Sequence, residues 1–109
     1  MLARTMNREH PGEVLLMDFL RPRGLSQNQV AHDIGVSLRR FSEIVHGTRP
    51  LTAETSLRLG RYFGMSERFW IHLQADFDLS RERGRLGSRL NKVHAARDLY
   101  RDGLWRTRR

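Results

Sequence analysis

The stretch that decides the fold is Ser26 to Gly47, which reads SQNQVAHDIGVSLRRFSEIVHG. It contains two short apolar patterns at helical spacing, and Gly35 separates them. The patterns are Val30, Ala31, Ile34 and then Phe41, Ile44, Val45. Because glycine readily adopts a positive φ, Gly35 is expected to form a tight turn between two short helices. The stretch therefore predicts a helix-turn-helix.

Serine residues are expected to begin both helices. Ser26 is the predicted N-cap of the first helix, with Gln29 completing a capping box. Ser37 is the predicted N-cap of the second helix. In a DNA-binding helix-turn-helix the second helix lies in the major groove and the first crosses the phosphate backbone.

Further apolar patterns of helical length flank this stretch on both sides. An earlier helix follows Pro11-Gly12, and Pro22 and Gly24 are expected to end it. Its apolar face is Leu15, Leu16, Phe19 and Leu20.

A fourth helix begins after Thr52, with apolar positions Ala53, Leu57, Leu59, Tyr62 and Phe63. A fifth begins after Ser66, and its apolar positions are Phe69, Trp70, Leu73 and Phe77. No period-two strand pattern occurs, so the predicted fold class is all-α with five short helices.

The positive charge is concentrated at the end of the chain. Of the 109 residues, the first 79 carry ten arginines and nine acidic residues, whereas residues 80–109 carry ten basic and three acidic residues. This division predicts a folded domain, 10–79, and a basic C-terminal extension, 80–109. Apolar residues from Leu86 to Leu104 recur at helical spacing, so a sixth helix is possible there. The formal net charge of +8 is typical of nucleic-acid-binding proteins, and also fits an acidic partner or a membrane surface.

Several classes of site are not expected. The chain has no cysteine, which excludes disulfides and thiolate chemistry. Its five histidines are scattered, and neither a catalytic constellation nor a phosphate-binding glycine loop occurs. We therefore expect no enzyme activity, metal, cofactor or small-molecule substrate. Without a signal peptide or an apolar run of membrane-spanning length, we expect a cytoplasmic protein with no membrane contact.

The segment 13–70 resembles the Xre superfamily, whose helix-turn-helix is of the Cro and lambda-repressor type. A closer resemblance, over residues 10–79, is to the HigA family of antitoxins. Its motifs are HPGE (10–13), GLSQ (24–27), RR (39–40), EIV (43–45), Gly47, LTAETSLRL (51–59), YFG (62–64), FW (69–70) and LQ (73–74). The extension from residue 80 matches no motif of the family.

The resemblance implies a five-helix, lambda-repressor-like domain with its helix-turn-helix at about 26–46. It also implies a homodimer that represses its own operon by binding double-stranded operator DNA. The family further implies neutralisation of a HigB-like toxin, a RelE-fold enzyme that cleaves mRNA on the ribosome. Composition and periodicity support only the helical DNA-binding unit.

The predicted DNA-contacting residues lie on the second helix of the motif and around it. They are Gln27, Ser37, Leu38, Arg39, Arg40, Ser42, Glu43, His46 and Arg49. Arginine can bind guanine through two hydrogen bonds, and glutamate can accept one from cytosine. Arg40, pointing more to the side, is predicted to contact phosphate. For Glu43 a base contact and an intrahelical pair with Arg39 or Arg40 are both open.

Two further regions have open interpretations. The large apolar residues Phe69, Trp70, Leu73 and Phe77 could form part of a dimer interface or belong entirely to the monomer core. The extension could add phosphate contacts, cover an acidic partner surface, or be a solvated end. Two other functions also remain open. One is a stand-alone Xre-type repressor without a toxin, and the other is a protein-binding module with a purely structural helix-turn-helix.

Overall fold

The structure, a computed structural model, describes residues 10–96. Over these residues it is all-helical, as predicted, and we number five helices in chain order. Helix α1 consists of three consecutive segments, Pro11–Val14, Leu15–Leu20 and Arg21–Arg23, of which the middle one is π-helical. Helices α2, α3, α4 and α5 are Gln27–Ile34, Leu38–Val45, Ala53–Phe63 and Phe69–Leu86. A 3-10 helix, Gly87–Lys92, follows α5.

Pro22 does not end α1, contrary to the prediction. The helix continues to Arg23, and Gly24 ends it in the left-handed conformation with φ of 65°. Proline has no N–H to donate to the carbonyl of Asp18, four residues earlier. The Arg23 guanidinium donates to that carbonyl at 3.4 Å and to the carbonyl of Phe19 at 3.1 Å. A side chain thus supplies the donor that Pro22 lacks.

The predicted N-caps are confirmed. The hydroxyls of Ser26, Ser37 and Thr52 each accept a hydrogen bond from the backbone N–H three residues later, at 3.0, 3.1 and 3.4 Å. The predicted capping box is not formed as expected, because the Gln29 side-chain amide donates instead to Asp33 Oδ1 at 2.7 Å. Helices α2 and α3 therefore begin at serines, as the sequence indicates.

One apolar core joins the first four helices to the start of α5. Its buried members are Val14, Leu15, Leu20, Val30, Ala31, Ile34, Phe41, Ile44, Val45, Leu51, Leu59 and Trp70. The inner faces predicted for α2 and α3 are all among them. Gly35 forms the turn between these helices with φ of 79°, where a residue with a Cβ would be strained.

The buried face of α4 differs from the predicted one. Ala53 and Leu57 are exposed, and Ser56 and Gly60 are buried in their place. The Ser56 hydroxyl donates to the carbonyl of Glu67 at 2.6 Å. A Cβ at Gly60 would lie 3.0 Å from the Cα of Glu67. Small residues lie inside because the chain before α5 crosses α4 closely.

Helix α5 is longer than the sequence indicates. It continues without a break to Leu86, through the charged residues 81–85 and Gly84. The possible sixth α-helix is not formed over residues 87–96, where a 3-10 helix is followed by extended chain. The remainder of that prediction lies outside the described residues. Contacts divide the chain into two units between Leu79 and Ser80.

Gln74 connects α5 to the segment that precedes α4. Its side chain is nearly fully buried, and Oε1 accepts a hydrogen bond from the backbone N–H of Leu51 at 2.8 Å. Its amide donates to Asp78 Oδ1 at 3.0 Å. Because a buried backbone N–H without a partner is costly, Gln74 holds the chain that leads from α3 into α4 in place.

Candidate nucleic-acid interface

The outer face of α3 is well placed to enter a groove of DNA. Phe41, Ile44 and Val45 are buried beneath it, which anchors the helix and points its other side outward. The Arg39 side chain is 88% exposed, and Leu38 is 47% exposed. Of the predicted contact residues, Ser37, Leu38, Arg39, His46 and Arg49 are exposed, and Gln27, Arg40, Ser42 and Glu43 are half-buried.

Glu43 lies between two arginine side chains. Its Oε2 accepts from Arg39 Nε at 3.3 Å, and its Oε1 accepts from Arg49 Nε at 2.8 Å. The Arg49 Nη2 atom is 2.7 Å from the same Oε1. The backbone carbonyl of Glu43 also accepts from the N–H groups of Thr48 and Arg49. The loop after α3 is thus fastened to the helix at Glu43, and both arginines lie beside one carboxylate.

Arg40 is engaged with α4. Its Nη2 donates to Glu54 Oε1 at 3.2 Å and approaches Thr55 Oγ1 at 3.5 Å. Glu54 also pairs with Arg58, whose Nη1 donates at 2.7 Å to the carbonyl of Ile34 at the end of α2. Sequence reasoning assigned Arg40 to phosphate and did not single out Arg58. Together these side chains connect α4 to both helices of the motif.

His46 is oriented by the last turn of α3. Its Nδ1 is 2.8 Å from the carbonyl oxygen of Ser42 and 3.3 Å from the Ser42 hydroxyl. Because a carbonyl can only accept, Nδ1 carries the proton in this arrangement. The exposed ring therefore presents Nε2 to any partner at the end of the helix.

The start of α1 supports the end of α3, which sequence reasoning missed. His10 caps α1, and its Nδ1 accepts from the N–H of Gly12 at 2.9 Å. A Cβ at Gly12 would overlap the carbonyl oxygen of Ile44 and lie 2.8 Å from that of Val45. Only glycine lets the backbones of α1 and α3 come this close. In the sequence, Pro11-Gly12 indicated only the start of a helix. The glycine beside that start was the one feature that could have suggested a close contact.

The two glutamates of these ion pairs, Glu43 and Glu54, have pKa values below the ordinary value. Hydrogen bonds from Arg49 and Arg39 hold the pKa of Glu43 below its ordinary value of 4.5, despite some opposing desolvation. Hydrogen bonds from Arg40 and Arg58 likewise lower the pKa of Glu54. A carboxyl whose pKa is lowered by folding stabilises the folded state above its unfolded pKa, and this contribution is lost as pH falls through the folded pKa.

We expect the thermal midpoint to fall more steeply in the wild type than in the Glu43→Gln/Glu54→Gln variant as pH decreases from 5 to 3. The measurement is thermal unfolding by circular dichroism at a series of pH values and constant ionic strength. Replacing Glu82 and Glu67 with glutamine instead changes the charge equally and controls for net charge. Parallel pH profiles for the wild type and the double variant would contradict the expectation.

The four large apolar residues considered for a dimer interface do not share one environment. Trp70 has no exposed surface and stacks edge-on against Phe19, with ring centroids 4.8 Å apart. Its assignment to an interface is therefore corrected, because a side chain without exposed surface offers a partner nothing. Phe69, Leu73 and Phe77 are half-buried, and their role in an interface stays a prediction.

A metal-ligand cluster and a membrane-spanning helix are both absent from residues 10–96. Over this range there is no group of three or more histidine, aspartate or glutamate residues that could hold a metal ion. No helix in the described part of the chain is long and apolar enough to span a membrane.

Comparisons with known proteins agree with this geometry. A family model described as helix-turn-helix matches residues 16–70. Virulence-associated protein I of Dichelobacter nodosus is 46% identical over 70 residues, covering 64% of this chain and 65% of that protein. The chain thus spans slightly less than two thirds of the length of this relative. Antitoxin HigA-1 of Vibrio cholerae is 32% identical over 74 residues, covering 68% of this chain and 70% of that protein.

A solved structure extends the likeness to a complex with DNA. It is the Pseudomonas aeruginosa antitoxin HigA with the higBA promoter. This chain superimposes on it with a TM-score of 0.75 at 32% identity, covering 82% of this chain and 99% of that one.

Proposed function

Because this chain belongs to the HigA-type proteins of the Xre helix-turn-helix family, we propose that it is an antitoxin and transcriptional autorepressor. It binds operator DNA near its own gene as a homodimer, acts in the cytoplasm, and neutralises a HigB-like toxin. The observation that carries the DNA-binding part is the exposed outer face of α3 above its buried anchors Phe41, Ile44 and Val45.

In this proposal α3 is the recognition helix. Arg39 reads a guanine in the major groove, and Leu38 contacts a thymine methyl group. Ser37, Ser42, His46 and Arg49 line the flanks of the same surface, where hydrogen bonds to phosphate orient the protein. Gln27 contacts phosphate from the first turn of α2, whose N-terminus favours an anion. Arg40 reaches phosphate only if its pair with Glu54 opens.

The proposed homodimer matches the two-fold symmetry of a palindromic operator. A helix-turn-helix dimer places two recognition helices one DNA turn apart, so that a palindromic site is read twice. Exposed parts of Phe69, Leu73 and Phe77 are the proposed contribution of unit 10–79 to the interface. The basic extension, 80–109, is proposed as a separate appendage that strengthens phosphate contacts.

The toxin part of the proposal rests on the likeness to antitoxins. The decisive experiment is co-expression with each adjacent reading frame, followed by growth measurement and co-purification. We expect one neighbour to arrest growth when induced alone, and this chain to restore growth and purify with it. A frame that encodes an inactivated neighbour serves as the control for expression load.

A stand-alone repressor is the second candidate, because the Escherichia coli relative YbaQ, 36% identical over 69 residues, is named an uncharacterized HTH-type transcriptional regulator. No toxic neighbour, no complex and sequence-specific binding to its own upstream DNA would establish this alternative. Absence of sequence-specific DNA binding would instead leave a protein-binding module.

A further inference from the structure

We propose that Glu43 is a positioning residue, which holds Arg39 for reading a guanine and does not itself read a base. This inference rests on the proposed function. It explains how the recognition surface of α3 would obtain its sequence specificity. The observations that carry it are the two arginine contacts of the carboxylate and the way in which Arg39 is held.

The contact between Arg39 and Glu43 uses the inner edge of the guanidinium. Nε of Arg39 is the atom nearest the carboxylate, at 3.3 Å. The structure assigns the two terminal amino groups of Arg39 no partner among residues 10–96. A planar guanidinium can donate two parallel hydrogen bonds from its terminal amino groups. Because Glu43 contacts Arg39 only at Nε, the two terminal amino groups of Arg39 remain available to donate to guanine O6 and N7.

Both carboxylate oxygens of Glu43 already accept hydrogen bonds from arginines. One carboxylate oxygen accepts from Arg39, and the other accepts from Arg49 at 2.7–2.8 Å. A cytosine amino group would therefore have to share an oxygen that an arginine already occupies. Glutamate is ionised at neutral pH in any case, and the hydrogen bond from Arg49 lowers the pKa of Glu43 further.

The Glu43 carboxylate contacts both Arg39 and Arg49. Arg39 lies near the start of α3, whereas Arg49 lies in the loop beyond its end. Thr48 and Arg49 donate backbone hydrogen bonds to the carbonyl of Glu43 at 3.0 and 3.3 Å, so the loop cannot drift from the helix. Any residue at position 43 could accept those backbone bonds, and the Glu43 carboxylate adds side-chain contacts to both arginines.

Removal of the Glu43 charge should have two opposite effects. Binding to unrelated DNA should strengthen, because one negative charge near the phosphates is lost. Discrimination between the operator and single-base-pair variants should weaken about tenfold at the base pair that Arg39 reads. A loss of folding would instead abolish discrimination at every base pair of the operator.

The test measures binding of wild type, Glu43→Gln, Arg39→Ala and the Arg39→Ala/Glu43→Gln double variant by fluorescence anisotropy. The probes are duplexes from the DNA upstream of the gene, a set with each base pair replaced in turn, and a scrambled duplex. Glu82→Gln is the matched control, because Glu82 also pairs with an arginine, Arg85, at 2.7 Å. Circular dichroism establishes that all variants are folded.

We expect Glu43→Gln to lose discrimination at the same base pair as Arg39→Ala, and to lose none further in the Arg39→Ala background. Loss at a different, cytosine-containing position would show a direct base contact and overturn the inference. An unchanged discrimination profile would also overturn it. If the wild type does not distinguish upstream DNA from the scrambled duplex, the proposed function fails together with the inference.

Discussion

Arg39→Ala is expected to reduce the affinity for the operator by about a hundredfold or more while leaving the fold intact. A bidentate arginine–guanine contact contributes about 1–3 kcal/mol of discrimination, and a dimer makes two such contacts. Because the Arg39 side chain is 88% exposed, its removal creates no cavity. Fluorescence anisotropy with the operator duplex measures the loss, and thermal unfolding monitors the fold.

Arg61→Ala is the matched control for Arg39→Ala. Arg61 is also an exposed arginine on a helix, but it lies on α4 beside an open groove between α2 and α4. Its removal changes the net charge equally and should change operator affinity far less. Normal operator binding by folded Arg39→Ala would disprove the assignment of α3 as the recognition helix.

Gly12→Ala is expected to destabilise the domain by about 3 kcal/mol, although alanine normally favours a helix over glycine. The added Cβ would overlap the carbonyl oxygen of Ile44, and this backbone atom cannot rotate away as a side chain can. The expected response is a shift of α1 away from the C-terminal turn of α3. Chemical denaturation measures the free energy of unfolding, and operator binding should fall with it.

Gly84→Ala is expected to change the stability in the opposite direction to Gly12→Ala. Gly84 lies within α5, and a Cβ there would meet nothing within 4 Å. Alanine should therefore stabilise the protein by up to about 1 kcal/mol, through its higher helix propensity. If both variants changed stability in the same direction, the close contact between α1 and α3 would not be the cause.

The sequence alone was sufficient for the motif and its boundaries. Ser26, Ser37 and Thr52 begin their helices as predicted, because an N-cap is a local hydrogen bond between a side chain and its own chain. The inner faces of α2 and α3 were also predictable, since three apolar residues at helical spacing leave only one side to bury. Arg39 was recognised as exposed for the same reason.

Only the tertiary structure decided where side chains meet across distant segments. Arg40 was predicted to reach phosphate, but Glu54 on α4 binds it, and Trp70 belongs to the core of one monomer. Ser56 and Gly60 are buried because another segment crosses there, which no periodicity within α4 records.

The contrast between Glu43 and Gly12 shows the physical limit of the sequence. Glu43 and Arg39 are four residues apart, so their pairing could be foreseen from the geometry of one helix. The contact of Gly12 with Ile44 depends on how α1 and α3 pack, and packing is settled by the whole core at once. Local hydrogen bonding and apolar spacing thus determine the helices, whereas long-range packing determines the surface that they present.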